Sequence, residues 1–156
     1  MNSLDGAILD GDVYAAYMVT ICEVQSQWIF ASRGTFAKES EISATMLGLL
    51  GEAWAAVKRD GIKTDGQNVA IYRGSMIEAG PRVLEKREGC VATPAGRAAM
   101  VVHMGPYERL GTVHGEIRNW CSENGHVIEG TNWEIYGHHE EDASRRRTDV
   151  FYLLRS

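Results

Sequence analysis

The chain carries almost none of the devices that would arm it chemically or tie it to another compartment. Its three cysteines, Cys22, Cys90 and Cys121, are odd in number and far apart. With no C-x-x-C pair, neither a zinc ribbon nor a redox centre is written here, and isolated cysteines of this kind pack as small apolar side chains in a reducing compartment. No apolar run is long enough to cross a bilayer, and residues 1–12 are acidic rather than basic and then apolar, which argues against a signal peptide or anchor. Basic charge is in deficit: 16 Lys and Arg stand against 21 Asp and Glu, a formal charge of -5. Such a surface is poorly suited to neutralising phosphates. The one basic cluster, Arg145-Arg146-Arg147, follows Glu140-Glu141-Asp142 and reads as a solvated turn. There is no Ser-His-Asp spacing, no glycine-rich phosphate loop and no H-E-x-x-H. These absences set the expectation of a cytoplasmic protein with no metal, no cofactor, no membrane contact and no direct nucleic-acid binding.

What is present is enough for one ordinary domain. A chain of 156 residues, 44% of them hydrophobic, buries roughly two thirds of its unfolded surface and needs no disulfide or metal. The sequence also repeats itself. Displaced by 64 positions, residues 51–72 match 115–136 at seven places: Gly51/Gly115, Glu52/Glu116, Gly61/Gly125, Gly66/Gly130, Asn68/Asn132, Ile71/Ile135 and Tyr72/Tyr136. Upstream the offset becomes 71, pairing Gly34 with Gly105 and Phe36 with Tyr107, so the first copy is expected to hold 7 extra residues (71 less 64) before its helix.

Each copy reads as strand, helix, strand, strand. In the second, the Val-rich run 97–104 is a strand, Gly105-Pro106 breaks it, and Pro106 is well placed for the first turn of a helix. Leu110, Val113, Ile117, Trp120 and Cys121 form one apolar helical stripe, which Asn124-Gly125 ends. Residues 132–137 and 148–154 supply two strands around the polar loop 138–147. In the first copy, 19–22 and 27–33 give a first strand, broken by a bulge near Gln25. A helix over 43–59 buries Met46, Leu50, Trp54 and Val57, and strands follow at 69–73 and 76–84, with 85–89 joining the copies. The expected organisation is an N-terminal extension, 1–16, and a single domain, 17–156, with copies at about 17–84 and 90–155. The fold class is α+β: an antiparallel sheet with both helices on one face and a ligand-sized groove between them.

The segments Ala92-Thr93-Pro94-Ala95-Gly96-Arg97, Val101-Val102-His103-Met104-Gly105-Pro106-Tyr107, Trp133-Glu134-Ile135-Tyr136 and the closing Arg147-Thr148-Asp149-Val150-Phe151-Tyr152-Leu153-Leu154 together resemble the GyrI-like small-molecule-binding family. The resemblance covers roughly 17–155, most strongly in the second copy. It implies an effector-binding module of the kind used by multidrug-sensing transcription regulators, holding aromatic or cationic compounds in a cleft between the copies. In that family an acidic residue of the strand after the second helix contacts the ligand; here that position is Glu134. The resemblance also extends to hydrolases that open strained cyclopropane rings of genotoxic compounds. About 16 residues before the first strand are too few for a helix-turn-helix domain, so the expectation is a standalone member.

Strand alternation places Glu134 and Tyr136 on one face and Trp133 and Ile135 on the other. A carboxylate in an aromatic cleft is poorly solvated. It recovers that energy by meeting a cation, or serves as acid or base; the alternative is an exposed acid at a sheet edge. Its counterpart in the first copy is Ala70. Tyr72 and Tyr136 are equivalent and either face the cleft or merely cover the sheet. Trp54, Trp120, Trp28, Tyr107 and Tyr152 are further lining candidates. Glu52 and Glu116 read as solvated helix residues or as a second carboxylate pair. His138 and His139 read as a loop rather than metal ligands, and His103 as a hydrogen-bonded strand residue. Three functions remain open: binding of a small hydrophobic or cationic ligand, hydrolysis by Glu134, and a protein-interaction module or homodimer.

Overall fold

The computed structural model describes residues 17–156 and the backbone of two short paired strands, β1 (Ile8–Leu9) and β2 (Asp12–Val13); the remainder of the expected extension lies outside the described residues. The elements that follow are β3 (Thr20–Val24), β4 (Trp28–Phe30), β5 (Ser32–Thr35), α1 (Ile42–Asp60), β6 (Thr64–Arg73), β7 (Met76–Val83), β8 (Cys90–Ala92), β9 (Gly96–Met104), α2 (Leu110–Glu123), β10 (Ile128–Tyr136) and β11 (Arg147–Leu154). Nine strands, β3 to β11, form one antiparallel sheet in the order β3-β9-β11-β10-β6-β7-β4-β8, with β5 also on β7. No helix among the described residues is long and apolar enough to cross a membrane.

That order reads the same from both ends, which is the duplication made visible. β6 and β10 are central partners, β7 and β11 flank them, and the first strands of the copies lie outside those. Both central strands carry a register irregularity, between Thr64 and Asn68 and between Ile128 and Asn132. The glycines inside these bulges, Gly66 (φ 84°) and Gly130 (φ 118°), take a backbone that a Cβ would oppose.

The expected bulge near Gln25 is instead a change of partner. β3 pairs with β9 of the second copy, whereas β4 and β5 pair with β7 of the first. β8, which the sequence reading did not foresee, pairs with β4. Each copy's leading segment thus extends the other copy's edge, and the two halves are laced together. The offset of the first strands also needs correction. Phe36 N donates to Ser75 O as Gly105 N donates to Arg146 O, so Phe36, not Gly34, occupies the place of Gly105. The first copy therefore holds 5 extra residues before its helix (69 less 64) rather than 7.

Both helices lie on one face. α1 packs mainly on β7 and β5, and α2 on β9 and β11. The α2 half of the core joins Val113, Ile117 and Cys121 to Val101, Val150 and Leu154; the α1 half joins Leu49 to Ile77 and Ala79. The fully buried line on α1 is Leu49, Ala53 and Val57; of the expected Met46, Leu50, Trp54 and Val57, the last lies on it and the other three, one residue round, are only partly covered. On the other face Trp133 stacks on Phe151 with centroids 4.9 Å apart, among Ile29, Val69, Ile71 and Ala98. Burying an aromatic this fully stabilises by about 3–5 kcal/mol relative to Ala.

Candidate functional site

Because the helices sit over the outer strands, β6 and β10 form the floor of a groove between them. Alternation brings Asn68, Ala70 and Tyr72 to the helix side of β6, and Asn132, Glu134 and Tyr136 to the helix side of β10. These are three equivalent pairs: Asn68/Asn132, Tyr72/Tyr136 and the one unlike pair, Ala70/Glu134. Ala70 and Glu134 are also direct cross-strand partners. An axis exchanging the copies must pass between them, so the one acidic side chain of the floor stands at its centre.

The walls follow the same rule. In α1 the partly covered residues Met46, Leu50 and Trp54 recur every four positions; the equivalent line in α2 is Leu110, His114 and Arg118. Met46, Leu50 and Leu110 pack against the buried cluster that contains Ala70 and Tyr136, and Trp54 Nε1 donates to Asn68 Oδ1 at 2.7 Å. The helix line that the sequence pattern assigned to the core is therefore the wall of the groove.

Glu134 is 5% exposed, and a carboxylate so covered is costly unless hydrogen-bonded. Tyr72 OH donates to Oε1 at 3.3 Å, and Tyr136 OH donates to the same oxygen. Oε2 is 2.8 Å from His114 Nε2, His114 Nδ1 is 2.7 Å from Tyr152 OH, and Arg118 Nη1 donates to Tyr152 OH at 2.9 Å. One arrangement leaves no donor facing a donor: Arg118 gives to Tyr152, Tyr152 gives its proton to Nδ1, and Nε2–H gives to Glu134. A protonated His114 would donate from both ring nitrogens, leaving Tyr152 OH to accept from His114 and Arg118. Burial raises the phenols of Tyr72, Tyr136 and Tyr152 above the ordinary value, and the Glu134 carboxylate adds to the rise in all three; Arg118 partly opposes it at Tyr152. All three therefore remain protonated donors at neutral pH.

Of the residues singled out by sequence, the fold gathers Glu134, Tyr136, Tyr72 and Tyr152 into one network. Tyr107, 44% exposed, meets Tyr136 edge-on at 6.0 Å, with Arg146 over its other side. Trp54 stands on the wall. Trp120 lies outside, stacked on His126 at 5.3 Å, and Trp28 sits on β4 beneath Lys86, 4.7 Å from its ring centre. Glu52 and Glu116 are exposed. His103 is a buried strand residue whose Nε2 lies 3.1 Å from Pro106 O; its Nδ1 has no protein partner among the described residues. His138 and His139 are exposed, and no metal-ligating group converges among the described residues.

Sequence reasoning missed His114 and Arg118. The signal was available: the offset of 64 sets them opposite Leu50 and Trp54, which had already been singled out. A separate hollow of about 200 Å³ lies on the sheet face away from the helices, bordered by Val24, Thr93, Trp133, Ile135 and Phe151 and by Arg82. The Arg82 guanidinium is engaged there by Asp65, Gln27 and Gln67.

No protein-family model matches the sequence, and no curated protein matches it at the sequence level. Solved structures do match in fold. The C-terminal domain of EcmrR superposes with a TM-score of 0.71 at 17% identity, over 90% of this chain and 98% of that domain. In the EcmrR–DNA complex the match spans 58% of the EcmrR chain. SAV2435 bound to tetraphenylphosphonium matches with a TM-score of 0.59 at 8% identity, over 89% of this chain and 94% of that one. A hydrolase from Listeria innocua matches at 0.53 with 10% identity, over 88% and 91%. These likenesses show the architecture: the chain is an α+β domain that shares the fold of the EcmrR C-terminal domain and of SAV2435.

Proposed function

We propose that the groove above β6 and β10 binds small apolar organic compounds, aromatic or cationic, with Glu134 as the electrostatic anchor. The observation that carries this reading is a buried carboxylate at the centre of the groove floor, flanked by the rings of Tyr72 and Tyr136. Aromatic faces attract cations, the more so when both are shielded from water. The carboxylate supplies the charge complement, and Met46, Leu50 and Leu110 supply apolar surface. Covering roughly 300 Å² of apolar ligand is worth about 7 kcal/mol before ordering costs, so charge pairing with Glu134 must supply the rest of any micromolar affinity. Calorimetry with tetraphenylphosphonium tests this: binding to the wild type, weakened at least about tenfold in Glu134→Gln, is expected. Equal binding by the variant would remove Glu134 from the role.

A second reading rests on the Glu134–His114 pair, in which a carboxylate and an imidazole at 2.8 Å form an acid-base couple. In that case the same groove hydrolyses a strained-ring electrophile. Product formation from a cyclopropane-bearing substrate, lost in Glu134→Gln, would select it; binding without turnover would select the first.

A further inference from the structure

Glu134 is not a vacant anion. A carboxylate offers about four lone-pair positions, and three of them are taken: two on Oε1 by Tyr72 and Tyr136, and one on Oε2 by His114. The tyrosines are neutral donors and leave the negative charge in place. His114 differs, because an imidazole, unlike a phenol, can take up a proton and become a cation. A protonated His114 would give the groove an internal cation, already paired with the one carboxylate of the floor.

Resting on the binding reading above, we infer that His114 is the residue that determines charge specificity in the groove: its proton and a ligand cation compete for Glu134. Neutral His114 still orients the carboxylate through Nε2–H while leaving its charge uncompensated. Protonated His114 cancels that charge and repels a second cation at short range. The two bound states exclude each other, so each cation captured expels the His114 proton, and by linkage acid weakens capture. The duplication shows that the device belongs to one half only, since α1 carries Leu50 at the equivalent place.

The surroundings of His114 support this competition from each side. Glu134 of β10 faces Nε2, and Tyr152 of β11 faces Nδ1. Arg118, one turn further along α2, bonds Tyr152 and adds positive charge. Tyr72 of β6 and Tyr136 hold the other carboxylate oxygen. The α1 wall opposite presents Met46, Leu50 and Trp54, none of which titrates. Tyr107 and Arg146 stand behind Tyr136.

Tetraphenylphosphonium is the suitable probe because its charge is fixed, so any pH dependence belongs to the protein. Its Kd is expected to rise as pH falls from 8 to 5.5, by up to about tenfold per unit through the histidine titration. Calorimetry in two buffers of different ionisation enthalpy should read a proton release that grows from about zero at pH 8 towards about one per ligand as pH falls. His114→Gln should retain affinity at pH 6 and flatten the profile. His114→Lys, a fixed cation, should bind at least about tenfold more weakly even at pH 8. A pH-independent Kd in the wild type, no proton release between pH 6 and 8, or an unchanged slope in His114→Gln would overturn the role of His114 while leaving ligand binding intact. If neither variant folds, the wild-type proton release decides. No binding at any pH would remove the ligand reading, and this role with it.

Discussion

The two walls of the groove are built on the same backbone plan, yet they differ in kind. The first copy presents Leu50, Trp54 and Ala70, whereas the second presents His114, Arg118 and Glu134 at the equivalent places. Tyr152 of β11 completes the polar side; the strand pairing sets Pro81 of β7 in its position. The repeated backbone makes the frame of the cleft symmetric, and the unlike side chains make it bipolar. Charge is concentrated where the second copy can support it, along a hydrogen-bonded line running from the floor through His114 and Tyr152 to Arg118. The first copy offers apolar surface. A ligand in such a groove is oriented as well as held.

The severest way to break this asymmetry is to impose symmetry of charge. Ala70 is fully buried beside Glu134, so Ala70→Glu places a second, unpartnered carboxylate at the axis. A loss of about 3–5 kcal/mol is expected in urea unfolding; a loss under 1 would mean that the axis is open to water. Alkali attacks the floor next. The phenols of Tyr72, Tyr136 and Tyr152 are raised above the ordinary phenol value of 10.0 in the folded protein, so the unfolded chain loses these protons first. Their contribution is complete below pH 10 and fades above it, by up to about 1.4 kcal/mol per tyrosine per pH unit. Tyrosine ionisation followed by absorbance should coincide with unfolding; ionisation in the intact fold near pH 10 would contradict the burial of these groups.

Gly80 marks where β7 is crowded by the first strand of its own copy. A Cβ there would fall 1.8 Å from Phe30 O, so Gly80→Ala must push β4 from β7, with an expected cost of about 1–3 kcal/mol in thermal unfolding. His114→Leu copies the first wall into the second and strips one donor from Glu134, costing about 1–3 kcal/mol. Arg118→Ala removes only the exposed end of the line and should cost less than about 1 kcal/mol. If Arg118→Ala instead proved the more damaging of the two, the weight given to the inner part of the network would be wrong.

Much of the architecture was legible in the sequence because the duplication is marked by glycines with backbone duties. Gly66 and Gly130 sit in matching bulges, and Gly61 and Gly125 follow the helices with positive φ. What escaped was set by long-range pairing. The exchange of β3 and β8 between halves leaves no local trace, since neither segment's sequence says which strand it pairs with. The match of Gly34 with Gly105 was an identity without equivalence: Gly34 lies close to the Leu49 side chain, whereas Gly105 has φ 149° beside His103. The core line of α1 was misplaced by one residue because Ala53 at its centre is a weaker signal than the larger Leu50 and Trp54 beside it. Glu134 stood out as an acid among aromatics in a strand. His114 and Arg118, on a helix, belong to no motif; only the fold brings Glu134 of β10 and Tyr152 of β11 beneath them.

The central claim is that the polar and apolar walls enclose a ligand between α1 and α2, above Glu134. A crystal structure of the protein with tetraphenylphosphonium tests it most directly. The phosphonium is expected over the Ala70/Glu134 pair, with phenyl rings against Leu50 and Tyr72. Density instead in the hollow beside Trp133, on the opposite face of the sheet, would contradict the account.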